Sequence, residues 1–310
     1  MKLVFCGTPQ FAVPALERLV SGGFDVLLVV SQPDRRKGRG MEMTAPPVKQ
    51  TAHALNLPVV QPDKIRSNPD FQRQLGSLDP DAIIVVAYGR IIPTWMLELP
   101  KFGNINVHAS LLPKYRGAAP IQWAIANGER VTGVTTMRID EGLDTGDILL
   151  KRELPIEPED TAVTLSPRLA AVGAELLVET LRGLETGTVQ PLPQENAQAT
   201  QAPLLKKEDG MIDFAKSSID IYNRLRGFLP WPGAYTHFRG KSLKIVAARP
   251  SQAEPGIAMG ELRASGDRLF AGCGSNSMLE LLTLQPEGKK PISAREFING
   301  YRPAMGEHLL

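Results

Sequence analysis

Three short, nearly uninterrupted apolar runs constrain the fold of this chain more than any other feature. They cover residues 2–6, 25–31 and 81–87, and the last two read DVLLVVS and DAIIVVA. Continuous rather than alternating apolar character is typical of parallel strands that are covered on both faces. Apolar residues recur at helical spacing between the first two runs, which predicts the β-turn-α-β start of a Rossmann-like sheet.

The turn after the first run argues against a dinucleotide site. It reads GTPQF from Gly7 to Phe11 and lacks the G-x-G-x-x-G fingerprint that brings a pyrophosphate close to the backbone. A tightly bound NAD is therefore not expected.

The bulk composition is that of a soluble globular protein of about two domains, with 310 residues, 43% apolar and 22% charged. No run reaches the roughly 18 to 20 apolar residues of a membrane span, and the N-terminus lacks the long apolar region of a signal peptide. The cysteines, Cys6 and Cys273, lie far apart, which predicts a reducing cytoplasm and no disulfide framework. Cys6 could be a nucleophile, but a buried small apolar residue is the favoured interpretation. No metal site is expected, because no histidine pairs with another His or Cys at ligand spacing.

The second half of the chain differs in pattern and charge from the first. Short alternating strands at 242–248, 260–264, 269–272 and 278–285 predict a small β-barrel. Residues 186–203 contain one charged residue and three prolines, which predicts a linker. The predicted domains are 1–185, a linker at 186–205, and 206–310. This last part has 15 Lys and Arg against 11 Asp and Glu, a net charge of +4, which fits contact with a polyanion.

The most informative stretch runs from Asn104 to Pro120 and reads NINVHASLLPKYRGAAP. It predicts a strand over Asn104–His108, on which Asn106 and His108 point to the same face because they are two residues apart. Open α/β sheets place their sites at the carboxyl ends of strands. A second loop, LDTGD at 143–147, adds Asp144. The rival carboxylates that spacing alone does not exclude are Asp140, Glu141 and Asp147.

These three side chains suit acyl transfer to an amine through a tetrahedral intermediate. The neutral amide of Asn106 can donate to a developing oxyanion without titrating. His108 can accept or deliver a proton near neutral pH, and Asp144 can orient the imidazole or relay the amine proton. The structural alternatives are a turn cap at Asn106, a satisfied core histidine at His108, and a loop-closing role for Asp144.

Two further loops leave the same predicted edge of the sheet. The irregular loop at 32–47 concentrates Arg35, Arg36, Lys37 and Arg39, and it is either a phosphate contact or a solvated surface loop. The loop at 88–93 could hold a flat heterocycle through main-chain hydrogen bonds, or it could be ordinary packing.

The motifs together resemble the formyltransferase family that uses 10-formyltetrahydrofolate. They occur in the family's order as FCGTPQFAVPAL, QPDRRKGRG, NVHASLLPKYRGAAPIQWAI, LDTGDIL and RGFLPWPGAYT. The resemblance covers essentially the whole chain. It implies an α/β fold, with a Rossmann-like, mostly parallel sheet domain followed by a linker and a smaller OB-like β-barrel domain.

The resemblance also implies residue roles. The family's catalytic trio matches Asn106, His108 and Asp144. Its folate-contacting segment matches Ser110, Leu111, Leu112 and Pro113. The other residues predicted to line the site of 10-formyltetrahydrofolate are Val86, Tyr88, Gly89 and Ile92.

The basic loop and the LPWPGAY segment narrow the resemblance to members that act on tRNA. They imply formyl transfer to the α-amino group of methionine on initiator methionyl-tRNA, with the 32–47 loop against the acceptor stem. The predicted tRNA contacts are Arg35, Arg36, Lys37, Arg39, Lys206 and Lys207, with Arg39 the principal one. A monomer without a membrane or metal requirement is expected.

Three alternatives remain open at this point. A formyltransferase for an amino-sugar nucleotide would keep the trio and change the acceptor. A non-catalytic RNA-binding protein would keep the fold and lose the reaction, although the presence of all three residues argues against it. A glycinamide ribonucleotide formyltransferase would normally lack the linker and the second domain.

Overall fold

The computed structural model describes residues 1–37, 42–252 and 257–310. The chain divides into two units. The first comprises 1–120, 131–155 and 166–202, and the second comprises 121–130, 156–165 and 203–310. The first contains a mostly parallel sheet and the second an antiparallel sheet, so the predicted α/β class is confirmed. In the described ranges, no helix is long and apolar enough to cross a membrane.

The apolar runs of the sequence form the centre of the first sheet. Its strands are β1 (Lys2–Gly7), β2 (Asp25–Val30), β5 (Val59–Val60), β6 (Ala82–Val86), β7 (Asn104–His108), β8 (Val131–Arg138) and β9 (Ile148–Pro155). The spatial order is β5-β2-β1-β6-β7-β8-β9. The pairings from β5 to β7 are parallel, whereas β8 and β9 add antiparallel strands at one edge. Every residue of β6 is buried, as expected for a strand covered on both faces.

The helices of this part of the chain include the one predicted between the first two apolar runs. They are α1 (Val13–Ser21), α2 (Pro47–Ala54), α3 (Pro69–Leu78), α4 (Thr94–Leu97), α5 (Pro120–Ala126) and α6 (Ala162–Thr186). Helix α3 begins after Asn68, whose side chain caps the helix by accepting the Phe71 N–H at 3.0 Å. Helix α4 is a single helical turn, which is too short to show a period in the sequence.

The basic segment is more regular than predicted. The prediction of an irregular loop over 32–47 is wrong, because β3 (Arg35–Lys37) pairs antiparallel with β4 (Glu42–Thr44). Three charged residues in a row carry no apolar alternation, so the pattern gave no strand signal. The predicted contact Arg39 lies outside the described residues, and the side chain of Lys37 is likewise not described.

The second unit is built on an antiparallel sheet with the order β10-β11-β14-β13-β12, and β15 pairs with β14. The strands are β10 (Ala234–Phe238), β11 (Lys241–Gln252), β12 (Leu262–Ser265), β13 (Arg268–Cys273), β14 (Ser277–Pro286) and β15 (Ile292–Ser293), with helices α7 (Ser218–Gly227) and α8 (Ala294–Tyr301). Its core includes Leu269, Leu281 and Phe297, none of them exposed.

The sequence pattern did not predict strands β10 and β15 or helix α8. Helix α8 carries a sequence signal in its capping box, in which Ser293 and Glu296 bond each other's main-chain N–H.

The segment predicted to be an extended linker is hydrogen-bonded along the first unit. It contains a 3-10 turn at Asn196–Gln198 and pairs with the first unit through two isolated bridges. Leu192 exchanges main-chain hydrogen bonds with Ile148 at 2.8 Å in both directions. The Arg116 N–H donates to the Thr200 carbonyl at 2.9 Å, and the Ala202 N–H donates to the Arg116 carbonyl at 2.7 Å. This segment, as far as residue 202, therefore groups with the first unit.

Candidate active site

The carboxyl ends of β1, β2, β6 and β7 lie at one edge of the sheet because these strands are parallel. The residues that follow them are Thr8, Gln32, Tyr88 and the segment after His108. This edge is where open α/β sheets bind ligands.

Strand β7 presents its polar side chains on one face, as predicted from the alternation. Asn106 and His108 share this face with Met137 and Thr135, which are their register partners on β8. The opposite face carries Val107 and Thr136, and Thr136 bonds Thr180 of α6 through their hydroxyls at 2.8 Å. One face is therefore packed under α6, and the other carries the candidate chemistry.

The Asn106 side chain is partly exposed, and its amide makes no hydrogen bond to any residue that the structure describes. An amide in this condition can donate to a ligand without first breaking a bond within the protein. It fits the predicted oxyanion donor.

The imidazole of His108 is almost fully buried, at 6% exposed, and both of its nitrogens face oxygens. Nε2 lies 2.9 Å from the Tyr115 carbonyl oxygen, which can only accept, so Nε2 carries a proton. Nδ1 lies 3.6 Å from Oδ2 of Asp144. In the neutral ring Nδ1 then has a lone pair, and a proton taken up there would lie between the ring and a carboxylate.

Asp144 reaches His108 by an unusual path of the chain. Strand β8 ends beside the start of β7, where the Ile139 N–H donates to the Asn104 carbonyl at 2.8 Å. The loop must then turn back toward His108, and Asp144 adopts a left-handed backbone with φ of 53°. Its Oδ2 accepts the Gly117 N–H at 2.8 Å. The carboxylate is thus fixed by a main-chain donor and directed at the imidazole.

Two of the three rival carboxylates, Asp140 and Glu141, make other contacts. Both oxygens of Asp140 accept from the Thr145 hydroxyl, at 2.7 and 2.9 Å, and Oδ1 also accepts the Gly142 N–H at 3.0 Å. Asp140 therefore closes the loop. Glu141 is exposed and accepts from the Thr94 hydroxyl at 3.5 Å. The described contact between a carboxylate and His108 is that of Asp144.

The predicted folate segment follows β7 directly and is held by Thr135. The Thr135 hydroxyl donates to the Ser110 carbonyl at 2.7 Å and accepts the Leu112 N–H at 3.1 Å. Leu112 packs with Met137 and Ile148, whereas Leu111 and Pro113 stay partly exposed. The Ser110 hydroxyl donates to the Lys114 carbonyl at 2.6 Å.

The predicted folate residues on β6 and its loop lie at the same edge, and most of them are buried. Val86, Tyr88 and Ile92 are at most 9% exposed, and Gly89 is exposed. Gln32 was not predicted here. Its Nε2 donates to the Tyr88 and Gly89 carbonyls at 3.0 and 3.1 Å, while its Oε1 accepts from Arg35 at 2.8 Å.

The remaining candidates are exposed basic side chains and a buried thiol. Arg36 is exposed on β3, and Lys206 and Lys207 are exposed in the second unit. Cys6 is fully buried, and this burial raises the pKa of its thiol to about 12, so it is no nucleophile near neutral pH. The described residues contain no group of three or more His, Cys, Asp or Glu side chains that could hold a metal ion.

Several contacts of the site carried no sequence signal. The Tyr115 carbonyl and the Gly117 N–H act through the main chain, whose direction a motif does not reveal. Their residues were quoted within the central motif, but their partners follow from the fold.

Comparison with known proteins identifies the family. The formyl transferase model matches residues 1–181, and the model of the formyl transferase C-terminal domain matches residues 204–302. A methionyl-tRNA formyltransferase of Koribacter versatilis is 64% identical over 309 residues, covering 100% of this chain and 98% of that protein. A methionyl-tRNA formyltransferase of Acidobacterium capsulatum is 62% identical over 304 residues, covering 97% and 96%.

Solved structures agree in fold. An N-formyltransferase from Helicobacter canadensis, in complex with folinic acid and dTDP-3-aminofucose, covers 92% of this chain and 99% of its own, with a TM-score of 0.68. At 21% identity this likeness concerns the fold alone. The family matches and the full-length relatives together show that this chain belongs to the formyl transferase family.

Proposed function

We propose that this protein transfers the formyl group of 10-formyltetrahydrofolate to the α-amino group of methionine on initiator methionyl-tRNA. The observation that supports this acceptor is the 64% identity, over the full chain, to a methionyl-tRNA formyltransferase. The geometry at His108 and Asp144 supports the reaction class.

Asn106 is the oxyanion donor in this proposal. When the amine attacks the formyl carbon, the carbonyl oxygen gains negative charge in the tetrahedral intermediate. The Asn106 amide makes no hydrogen bond within the described protein, so it can stabilise that charge with little reorganisation. Its neutrality keeps this donor constant across the working pH range.

His108 accepts the proton of the attacking amine through Nδ1. The nucleophile must be the neutral amine, and an α-amino group has a pKa of about 7.7 to 8.0, so only a modest push is needed. Once protonated, the ring donates from Nε2 to the Tyr115 carbonyl and carries its new proton toward Asp144. The positive ring also favours the neighbouring oxyanion.

Collapse of the intermediate completes the transfer. The bond between the formyl carbon and N10 of the folate breaks, and its electron pair stays on N10. The proton held at His108 passes to N10, so the ring returns to its starting state. The products are N-formylmethionyl-tRNA and tetrahydrofolate, with no covalent enzyme intermediate.

The binding residues complete the proposal. We assign the folate to the edge formed by Ser110, Leu111, Leu112 and Pro113 with Val86, Tyr88, Gly89 and Ile92. The tRNA contacts are assigned to Arg35, Arg36, Lys37, Arg39, Lys206 and Lys207. A monomeric enzyme in the cytoplasm, where its tRNA is made and used, fits this role.

Formyl transfer from 10-formyltetrahydrofolate tests the proposal, with methionyl initiator tRNA, methionyl elongator tRNA and a 4-amino-sugar nucleotide as acceptors. We expect N-formylmethionine to form mainly on the initiator tRNA. Turnover only with the sugar nucleotide would overturn the acceptor and keep the chemistry. No turnover with any of the three would overturn the enzymatic assignment.

A further inference from the structure

The segment at residues 187–202, which belongs to the first unit, contributes side chains to the candidate site. Gln194 is partly buried, and its Nε2 donates to the main-chain carbonyls of Asp144 and Gly146 at 2.9 and 2.7 Å. These carbonyls bracket the left-handed turn that aims the Asp144 carboxylate at His108. A single amide thus fastens both sides of that turn.

The other end of the Gln194 amide is held by a buried cation. Arg116 is 5% exposed and donates to Gln194 Oε1 from Nε at 3.1 Å and from Nη2 at 2.7 Å. Its Nη2 also donates to Asn196 Oδ1 at 2.9 Å. Hydrogen bonds from a charged donor are among the stronger ones, and a buried guanidinium that lost them would be costly.

These contacts form a closed ring of bonds. Arg116 is bonded to Gln194, Gln194 to the Asp144 main chain, and the Asp144 carboxylate to the N–H of Gly117, which follows Arg116 in the chain. Tyr115, which precedes Arg116 in the chain, accepts a hydrogen bond from His108 through its main-chain carbonyl. One tripeptide, 115–117, therefore orients both members of the proton-transferring pair, and Gln194 locks it to the Asp144 loop.

The approach of the segment at this point requires glycine. Gly117 has a φ of 122°, and a Cβ there would lie 2.6 Å from the Ala202 carbonyl oxygen. The segment and the tripeptide are thus in close main-chain contact, which explains how a residue far along the sequence can reach the Asp144 loop.

We propose that Gln194 is a positioning residue for Asp144, so that the segment at residues 187–202 is part of the active site. The inference rests on the proposed function, because it assigns Gln194 a role in that reaction. Gln194 touches neither the substrates nor the reacting atoms in this role. It sets the distance and direction between the carboxylate and His108.

Two variants separate this role from general stabilisation. Gln194→Ala removes both halves of the contact. Gln194→Glu keeps an acceptor for Arg116 but has no N–H for the two carbonyls. Gln198→Ala is the matched control, because this exposed glutamine of the same segment bonds only its neighbour Glu195 within the described residues.

The first readout is the split between kcat and KM with initiator methionyl-tRNA, or with whichever acceptor the parent enzyme uses. We expect kcat to fall about 10- to 100-fold in both Gln194 variants, the range found for residues that orient a catalytic group. KM for the folate should stay within about threefold, and Gln198→Ala should match the parent. A parent-like kcat in either Gln194 variant, or a loss confined to KM, would overturn the inference.

The second readout does not depend on activity. Hydrogen exchange of peptides covering residues 112–119 and 139–147 should become faster in both Gln194 variants and stay unchanged in the control. Unchanged exchange in the Gln194 variants would overturn the inference even if activity fell. An inactive parent would overturn the proposed function, and exchange would still decide whether Gln194 holds the Asp144 loop.

Discussion

Two carboxylates, one in each unit, show opposite ways of using a negative charge. Glu280 on β14 is 4% exposed, and the side chains of Arg249 and Arg268 hold both of its oxygens at 2.7 to 2.9 Å. These hydrogen bonds lower the pKa of Glu280 to about 2. Asp144 has one main-chain donor at 2.8 Å and a ring nitrogen 3.6 Å away.

The sheet register explains the saturation of Glu280. Arg249 is its direct partner across β11 and β14, and Arg268 lies two residues from its partner on β13, so both guanidinium groups reach it from neighbouring strands. Asp144 instead sits on a loop with spare acceptor capacity. The comparison teaches that a saturated carboxylate stabilises a fold, whereas an incompletely paired one can take part in proton transfer.

The largest expected effect comes from Asp144→Asn. Asparagine tolerates the left-handed backbone and can still accept the Gly117 N–H, so the variant removes the charge and little else. We expect kcat to fall by about 10²- to 10⁴-fold, the usual contribution of acid–base catalysis, with little change in the free energy of unfolding. Steady-state kinetics and thermal unfolding measure both. Asp140→Asn is the control, and an equal loss of kcat in that variant would contradict the choice of Asp144.

Asn106→Ala tests the proposed oxyanion donor. Removing one oxyanion donor typically lowers kcat by about 10²- to 10³-fold. Because the amide makes no hydrogen bond to the described protein, folate affinity and stability should change little. Kinetics with direct measurement of folate binding decide the matter, and near-normal turnover would defeat the oxyanion role.

Glu280→Gln should show the reverse behaviour, with parent-like kcat and a lower stability. A buried acceptor that loses its charge beside two guanidinium groups should reduce the free energy of unfolding by about 1 to 3 kcal/mol. Glu287→Gln, an exposed change just beyond the same strand, is the control and should have almost no effect. Denaturant unfolding at neutral pH measures the difference, and a loss of kcat without a loss of stability would break the comparison.

The effect of Glu280 should also depend on pH. Its folded pKa of about 2 lies below the unfolded value of about 4.3, so the unfolded state binds more protons between them. The stabilisation is therefore complete above about pH 5 and is lost as the pH falls toward 2. Unfolding curves of parent and variant should converge over that range, and a constant gap would contradict the assignment.

The smallest effect is expected for Arg249→Ala. Its side chain is 61% exposed, and Arg268 keeps hydrogen bonds to both oxygens of Glu280. Exposed ion pairs contribute about 0.2 to 1 kcal/mol, so the loss of stability should stay below about 1 kcal/mol. A larger loss in the same unfolding measurement would mean that the two arginines act as one unit.

Sequence reasoning predicted those parts of the fold in which a run of residues carries its own period. Strand β7 was predicted at its observed bounds, Asn104–His108, and the apolar runs became β1, β2 and β6. Strand β3 was missed, because RRK becomes a strand only through its pairing with β4. The pairing of Leu192 with Ile148 was also beyond prediction, since a proline-rich segment shows no period that could reveal its partner.

For the site, the residue types were predictable and the partner choices were not. The alternation on β7 predicted that Asn106 and His108 share a face. The loop after β8 turns back toward His108, and this turn decides which carboxylate faces the imidazole. No local sequence pattern encodes the turn, and the left-handed backbone of Asp144 is visible only in the fold.

The close pairing of residues 192–202 with the rest of the first unit affects how homologous chains should be aligned and where they should be divided. The first family match ends at residue 181, and the second begins at residue 204. A comparison limited to these two matches omits the segment that contacts Arg116 and the Asp144 loop. A truncated chain that ends at residue 185 would retain Asn106, His108 and Asp144 but lose these contacts. Exchanges of the chain beyond residue 202 between family members should therefore be joined after that residue, so that the Asp144 loop keeps its own neighbour.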